Sequence, residues 1–310
     1  MNSNSDSNPK TLHPKHILAP VDFSKSCLQG LNAALDLARR FEAKLTVVHV
    51  VKHLPHGSHV VLDATGIQQD LARPARERLA EFVAEHVPAD VFVRQEVAEG
   101  KPFHVVVGLA AERECDLIVI STHGYTGLAH VLLGSNAERI VQHAPCPVLV
   151  MRGRPDESRP SENATAFRWI LLPTDFSENS RKAFPLAAAM AREYDARLIL
   201  ANVQPAPPLP IAEIGEVPQD FTAQDIAARR AAVEVQLRHY QSEHFGDDFS
   251  TTGEVREGIP HRAICEMAKA TQPGLIIIAT HGHTGWKHAL VGSTAERVVR
   301  HAPCPVLVVR

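Results

Sequence analysis

Four short stretches hold the residues with the clearest chemistry. Ser121-Thr-His123-Gly124 is followed after nine residues by Gly134-Ser135, and Ala279-Thr-His281-Gly282 is followed after nine residues by Gly292-Ser293. Small residues let a backbone approach a ligand closely. A helix opening at Gly134 or Gly292 would present unpaired amides and the positive end of its dipole, which together attract phosphate. The amides of Ser135 and Asn136, the corresponding amides of Ser293 and Thr294, and the two serine hydroxyls are the expected donors. Pro20-Val21-Asp22 and Pro173-Thr174-Asp175 supply the second group. Their carboxylates suit a ribose hydroxyl, an adenine amine or a bridging metal ion. A purely structural role fits the same residues. Ser135-Asn-Ala-Glu138 and Ser293-Thr-Ala-Glu296 read as capping boxes, and Asp22 and Asp175 as turn residues.

Catalytic machinery is harder to find. No lysine follows the glycines as a phosphate-cradling GxxxxGK[ST] loop requires. Lys287 lies in the second loop, but its counterpart in the first is Ala129. Phosphoryl transfer needs a metal, a placed nucleophile and charge stabilisation, and only Asp22 and Asp175 are candidates for metal contact. Binding is therefore the expectation, with slow hydrolysis of the bound phosphate as the alternative. His53, His56 and His59 have a spacing that three zinc ligands can adopt, yet Pro55 and Gly57 between them argue for a loop and the second half has no counterpart. No metal site is assigned. Arg139 and Arg297 read as helix-surface partners.

The elements that must position these residues occur twice. Residues 121–150 and 279–308 are identical at 21 of 30 positions without a gap. ILAPVDFS at 17–24 matches ILLPTDFS at 170–177, and VAEGKPF at 97–103 matches VREGIPH at 255–261, which aligns Gly100 with Gly258. The offset grows from 153 to 158 between the first motif and the later ones. The proline-rich stretch at 205–210 is the expected place for the extra residues. Each repeat is a whole domain of about 140 residues, not a solenoid unit. The expected boundaries are a polar, disordered tail at 1–14, domains at 15–152 and 167–310, and a turn-rich linker at 153–166.

In the first half, periodicity predicts strands at 17–20, 44–51, 91–97, 117–121 and 147–151. It predicts helices at 24–40, 67–86, 102–113 and 135–143. The second half predicts strands near 169–173, 197–203, 250–256, 275–279 and 305–309. Apolar strands alternating with helices imply an α/β fold with a parallel, doubly wound sheet. Ligands of such sheets sit beyond the carboxyl ends of the strands, where strand order reverses. Both candidate loops and both aspartates fall there.

Composition narrows the partners. The chain has 310 residues, 45% hydrophobic and 22% charged, with a formal net charge of -3 and 5% aromatic residues. This near-neutral balance gives no electrostatic case for a nucleic-acid binder, a local basic patch aside, and no apolar run approaches the ~20 residues of a membrane helix. The polar start lacks the order of a signal peptide. Five cysteines without a CxxC pair fit buried, reduced thiols and a cytoplasmic location.

With these motifs in place, the chain resembles the universal stress protein family in its tandem form, from about residue 15 to the last. The family's nucleotide loop reads Gly, two residues, Gly, nine residues, then Gly-Ser or Gly-Thr. Gly124 and Gly282 match its second glycine; Gly134-Ser135 and Gly292-Ser293 match its last pair. Its first glycine is replaced by Ser121 and Ala279. The family uses the second strand's end near adenine, which implies contacts from Val50 and Val203; their preceding residues, His49 and Asn202, differ. The resemblance implies two Rossmann-like domains of the adenine nucleotide alpha hydrolase type, each a five-stranded parallel sheet with about four helices. It implies an ATP or AMP ligand, with Mg2+ as a companion, and a role in stress survival as a regulator or switch. Pairing of the two domains through the strands at 147–151 and 305–309 is expected, which would protect two edge strands. A homodimer and a protein partner remain open, and a scaffold that binds no nucleotide is the competing function. The candidate nucleotide-binding set is Pro20, Val21, Asp22, Val50, Gly100, Ser121, His123, Gly124, Gly134, Ser135 and Asn136, with Pro173, Thr174, Asp175, Val203, Gly258, Ala279, His281, Gly282, Gly292, Ser293 and Thr294.

Overall fold

The computed structural model describes residues 13–52, 64–121, 133–152, 167–205, 223–246, 249–280 and 292–310. The first half runs β1 (His16–Val21), α1 (Cys27–Arg40), β2 (Lys44–Val51), α2 (Ala64–His86), β3 (Val93–Glu99), α3 (Pro102–Glu112), β4 (Leu117–Ser121), α4 (Ser135–His143) and β5 (Val148–Met151). The second runs β6 (Trp169–Pro173), α5 (Glu178–Arg181), α6 (Phe184–Tyr194), β7 (Arg197–Gln204), α7 (Ala223–His244), β8 (Thr251–Glu257), α8 (Pro260–Thr271), β9 (Leu275–Ala279), α9 (Ser293–His301) and β10 (Val306–Val309).

Each half is a Rossmann-like, doubly wound α/β unit. Its strand order is β3-β2-β1-β4-β5 in the first half, mirrored as β10-β9-β6-β7-β8 in the second. The chain steps outward from β1 to β3, then returns across β1 to β4. Strand order therefore reverses between β1 and β4, and likewise between β6 and β9. Within each half every pairing is parallel. Side chains alternate between two cores, one on each face of the sheet. Leu31, Leu79 and Leu186 fill one; Val106, Ile140 and Met267 fill the other.

Two expected bounds are corrected, and one expected helix is divided. Among the described residues the second half has five helices, because the counterpart of α1 is broken into α5 and α6. Pro185 explains the break: it lacks an N–H and its ring crowds the carbonyl four residues earlier, at Arg181, where α5 ends. The third strand lies at Val93–Glu99, not 91–97, and its pairing with β2 carries it on to Glu99 opposite Val51. The second helix begins at Ala64, before the expected 67. The five extra residues fall between β7 and α7: the offset is 153 from Val51 to Gln204 and 158 from His86 to His244.

The two halves join through their last strands. β10 pairs antiparallel with β5, with Leu307 opposite Leu149, so one sheet of ten strands runs through the molecule. Polar contacts flank this junction. Arg152 donates to the Val299 carbonyl near the end of α9, and Arg310 to the Gln142 carbonyl near the end of α4. Cations at helix carboxyl ends complement the dipole. Arg300 bridges Glu138 of the other half at 2.8 Å and Glu296 of its own at 3.0 Å. On the opposite face the Tyr194 hydroxyl donates to Asp36 at 2.5 Å, and Arg40 lies over the Tyr194 ring while donating to the Glu193 carbonyl. Burial and the adjacent Asp36 push the Tyr194 phenol above its ordinary range, so it stays a donor.

Leu307→Ala tests the junction. Both Leu307 and Leu149 are 1% exposed, so truncation should cost about 2–5 kcal/mol, read as a lowered urea midpoint.

Candidate functional site

The carboxyl ends of β1 and β4 meet at the reversal point of the first half, and those of β6 and β9 at that of the second. Pro20 and Val21 close β1, Pro173 closes β6, and Thr174 follows it. The next residues, Asp22 and Asp175, turn back on themselves. Asp22 Oδ1 accepts from the Ser24 amide at 3.1 Å and the Ser24 hydroxyl at 2.5 Å. Asp175 Oδ1 accepts from the Ser177 amide at 3.0 Å and its hydroxyl at 2.6 Å. The turn-residue role is thus real in both halves.

Between each aspartate and its serine stands a phenylalanine in the left-handed region, Phe23 with φ 61° and Phe176 with φ 65°. That conformation costs an L-residue ~1–2 kcal/mol, and it occurs in both copies. Packing holds the ring in place. Phe23 meets Phe82 edge-on at 5.3 Å and His49 at 4.3 Å, while Arg78 lies over its ring at 4.5 Å. Phe176 meets Tyr240 edge-on at 5.1 Å.

The carbonyl just before each aspartate is tied to the second strand. His49 Nδ1 donates to the Val21 carbonyl at 2.9 Å, and Asn202 Nδ2 to the Thr174 carbonyl at 2.8 Å. A carbonyl only accepts, so the proton of neutral His49 sits on Nδ1. His49 and Asn202 are different residues making one bond. The preceding position to Val50 and Val203 therefore departs in chemistry but not in task. Val50 and Val203 themselves pack partly buried against the α3/α8 side of the sheet. Burial lowers the His49 pKa; Arg78 on α2 acts in the same direction, and the Val21 carbonyl and Asp22 oppose it.

Gly134 and Gly292 are the N-cap residues of α4 and α9, and as glycines they bring no side chain of their own to cap the helix. The capping-box reading is corrected here. Ser135 and Ser293 sit one position inside the helix, and Glu138 and Glu296 turn to Arg300 instead of reaching back. Ser135, Asn136 and Ser293 are exposed and Thr294 is partly so. At the base of the second loop the Gly292 amide donates to the Thr280 carbonyl at 2.5 Å, which ties the loop's two ends together.

Ser121, in place of the first loop glycine, faces the helix layer. Its hydroxyl accepts the Gly30 amide of α1 at 3.1 Å, and a Cβ on Gly30 would lie 2.9 Å from that oxygen. The second half has Ala183 and Ala279 at these two places, 0% and 9% exposed. The departure from glycine is thus matched by a change across the helix–strand contact. Gly100 and Gly258 follow β3 and β8, two strands from the reversal point. Their φ values of 142° and 132° suit glycine alone, and their amides donate at 2.9 Å to the carbonyls of Val51 and Gln204. His123, Gly124, His281 and Gly282 lie outside the described residues, as do His53, His56 and His59.

Among the described residues no three His, Cys, Asp or Glu side chains gather as a metal site, and no helix is long and apolar enough to cross a membrane. All five cysteines are buried. Burial pushes the Cys27 and Cys115 thiols up to about 11 and Cys146 to about 12, so they remain protonated and inert. Arg139 lies over the Phe103 ring at 4.9 Å, a surface packing role.

The sequence profile of the universal stress protein family matches residues 13–152 and again 166–310. A universal stress protein of Methanocaldococcus jannaschii is 35% identical over 142 residues, covering 44% of this chain and 82% of its own. A universal stress protein A homolog of Coxiella burnetii is 36% identical over 144 residues, covering 45% of this chain and 97% of its own. A crystal structure of a universal stress protein from Archaeoglobus fulgidus superposes with a TM-score of 0.62 at 19% identity, covering 95% of this chain and 96% of that one.

Two measurements probe this geometry. Gly30→Ala should destabilise by about 1–3 kcal/mol through overpacking, and Ser121→Ala in the same chain should recover most of it, as urea unfolding of both variants and the pair would reveal. The second concerns pH. The folded-state pKa of His49 is below its ordinary 6.5, so its stabilising contribution is full above 6.5 and is lost as pH falls through the lower folded value. The stability of the parent protein should therefore drop relative to His49→Asn as pH is lowered from 7.5 to 5.

Proposed function

The chain belongs to the universal stress protein family, and we propose that each half binds one adenine nucleotide, ATP or AMP, at the reversal point of its strands. The observation that carries this reading is the pair of helix starts whose N-cap residues, Gly134 and Gly292, are glycines, each on the same sheet edge as an aspartate turn. The α4 and α9 amides with the Ser135 and Ser293 hydroxyls would take phosphate. Asp22 and Asp175 would take the ribose or base. Val50 and Val203 would pack beside the adenine. The glycines and histidines of the two loops, Gly124, Gly282, His123 and His281, complete the proposed set, and Ser121, Ala279, Gly100 and Gly258 shape it from behind.

Each site offers one acidic side chain among the described residues named here. That fits Mg2+ held chiefly by phosphate oxygens and water. With no paired general base in the set, the function is binding: the nucleotide state regulates a stress-response partner in the cytoplasm.

The test is a thermal-shift titration with mass spectrometry under native conditions. Nucleotide at 100 times its dissociation constant should stabilise the protein by about 2.7 kcal/mol, and two molecules should bind. Gly134→Val and Gly292→Val should each remove one. No shift with millimolar ATP or AMP would refute the reading.

A further inference from the structure

The two halves hold their aspartate turns with different chemistry, and we propose that this makes the second half the tighter nucleotide site, with Tyr240 as a positioning residue. The inference rests on the nucleotide reading above.

In the second half a chain of hydroxyls closes around the strained Phe176. Thr174 Oγ1 accepts the Phe176 amide at 3.1 Å and lies 3.0 Å from Ser180 Oγ. The Ser180 hydroxyl donates to the Ser177 carbonyl at 2.9 Å, and its amide donates to Ser177 Oγ at 3.1 Å. Ser177 in turn donates to Asp175. With Ser180 already donating, the Thr174 hydroxyl supplies the proton of the Thr174–Ser180 bond. From α7, the Tyr240 hydroxyl donates to the Phe176 carbonyl at 3.2 Å. Thr174 and Ser180 are buried, where a satisfied network is rigid.

The corresponding residues of the first half are Val21, Cys27 and Phe82. Valine and phenylalanine carry no hydrogen-bonding atom, and a thiol is a weak donor. Ser24 compensates in part through its 2.9 Å contact with Ser26. The left-handed phenylalanine is nevertheless present in both halves, with its conformational cost. The first half keeps the bond from the Cys27 amide to Ser24 Oγ, at 3.3 Å, and otherwise holds Phe23 by aromatic packing, Arg78 over the ring and the His49 bond, without the three hydroxyls. A carboxylate on a better-held turn loses less freedom when ligand binds, and preorganisation of this kind appears as affinity.

ATP with Mg2+ should be titrated calorimetrically into the full chain carrying Gly134→Val, which leaves the second site, and into the chain carrying Gly292→Val, which leaves the first. The second site should be about tenfold tighter, the equivalent of one to two hydrogen bonds. Tyr240→Phe should weaken the second site about fivefold and leave the first unchanged, a selectivity that general destabilisation would not produce. Phe82→Tyr should tighten the first site. Equal affinities, or Tyr240→Phe weakening both sites alike, would overturn the proposal. If the unaltered chain binds neither ATP nor AMP, the nucleotide reading itself falls and this inference falls with it.

Discussion

Two apolar strands, β5 and β10, would each be an open edge if its half stood alone. Their antiparallel pairing removes both edges at once and fuses two five-stranded sheets into one. Unpaired edges invite association with other chains, so this contact is where a repeated domain becomes one molecule. The direction of pairing has a geometric consequence. All strands of one half run opposite to all strands of the other, so the carboxyl ends of the two halves lie on opposite edges of the sheet. The two candidate sites therefore lie at opposite ends of the strands. Communication between them would have to pass through the shared core and the contacts beside the junction.

Those contacts are not symmetric. Arg152 and Arg310 are related by the repeat and perform the same task, each at the carboxyl end of a helix in the other half. Arg300 corresponds to Gln142, so the ion pair of Arg300 with Glu138 has no arginine counterpart at the related position. Tyr194 and Asp36 have Phe41 and Ala189 at their corresponding positions. The backbone pairing sets a twofold arrangement, and individual side chains have diverged on it. Partners that read one half need not read the other.

How much could be read from the sequence follows the same division. Gapless identity between the terminal segments of the repeats exposed the fold, because the fold depends on apolar runs that survived in both copies. Side-chain partnerships across elements were not legible. Gly30 matters only because Ser121 lies opposite, and Ala183 in its corresponding position erased the signal. His49 and Asn202 look like a functional divergence until both are found donating to the same carbonyl. The capping boxes fit their sequence pattern but failed by one residue, since the helices take Gly134 and Gly292 as their N-caps. Pro185 was visible, yet its effect depended on where the helix began.

The left-handed phenylalanines connect fold to site. A bulky residue in that conformation persists only where its surroundings over-determine it. Here the Asp–Ser turn fixes one side, the second strand's donor fixes the preceding carbonyl, and an aromatic ring from α2 or α7 fixes the side chain. The result directs the chain sharply away from the strand end while keeping the aspartate at the reversal point. An ordinary turn would need no such support. Its repetition, with the supporting bonds remade from different residues in each half, ties the strain to the position of the carboxylate and not to any single packing partner.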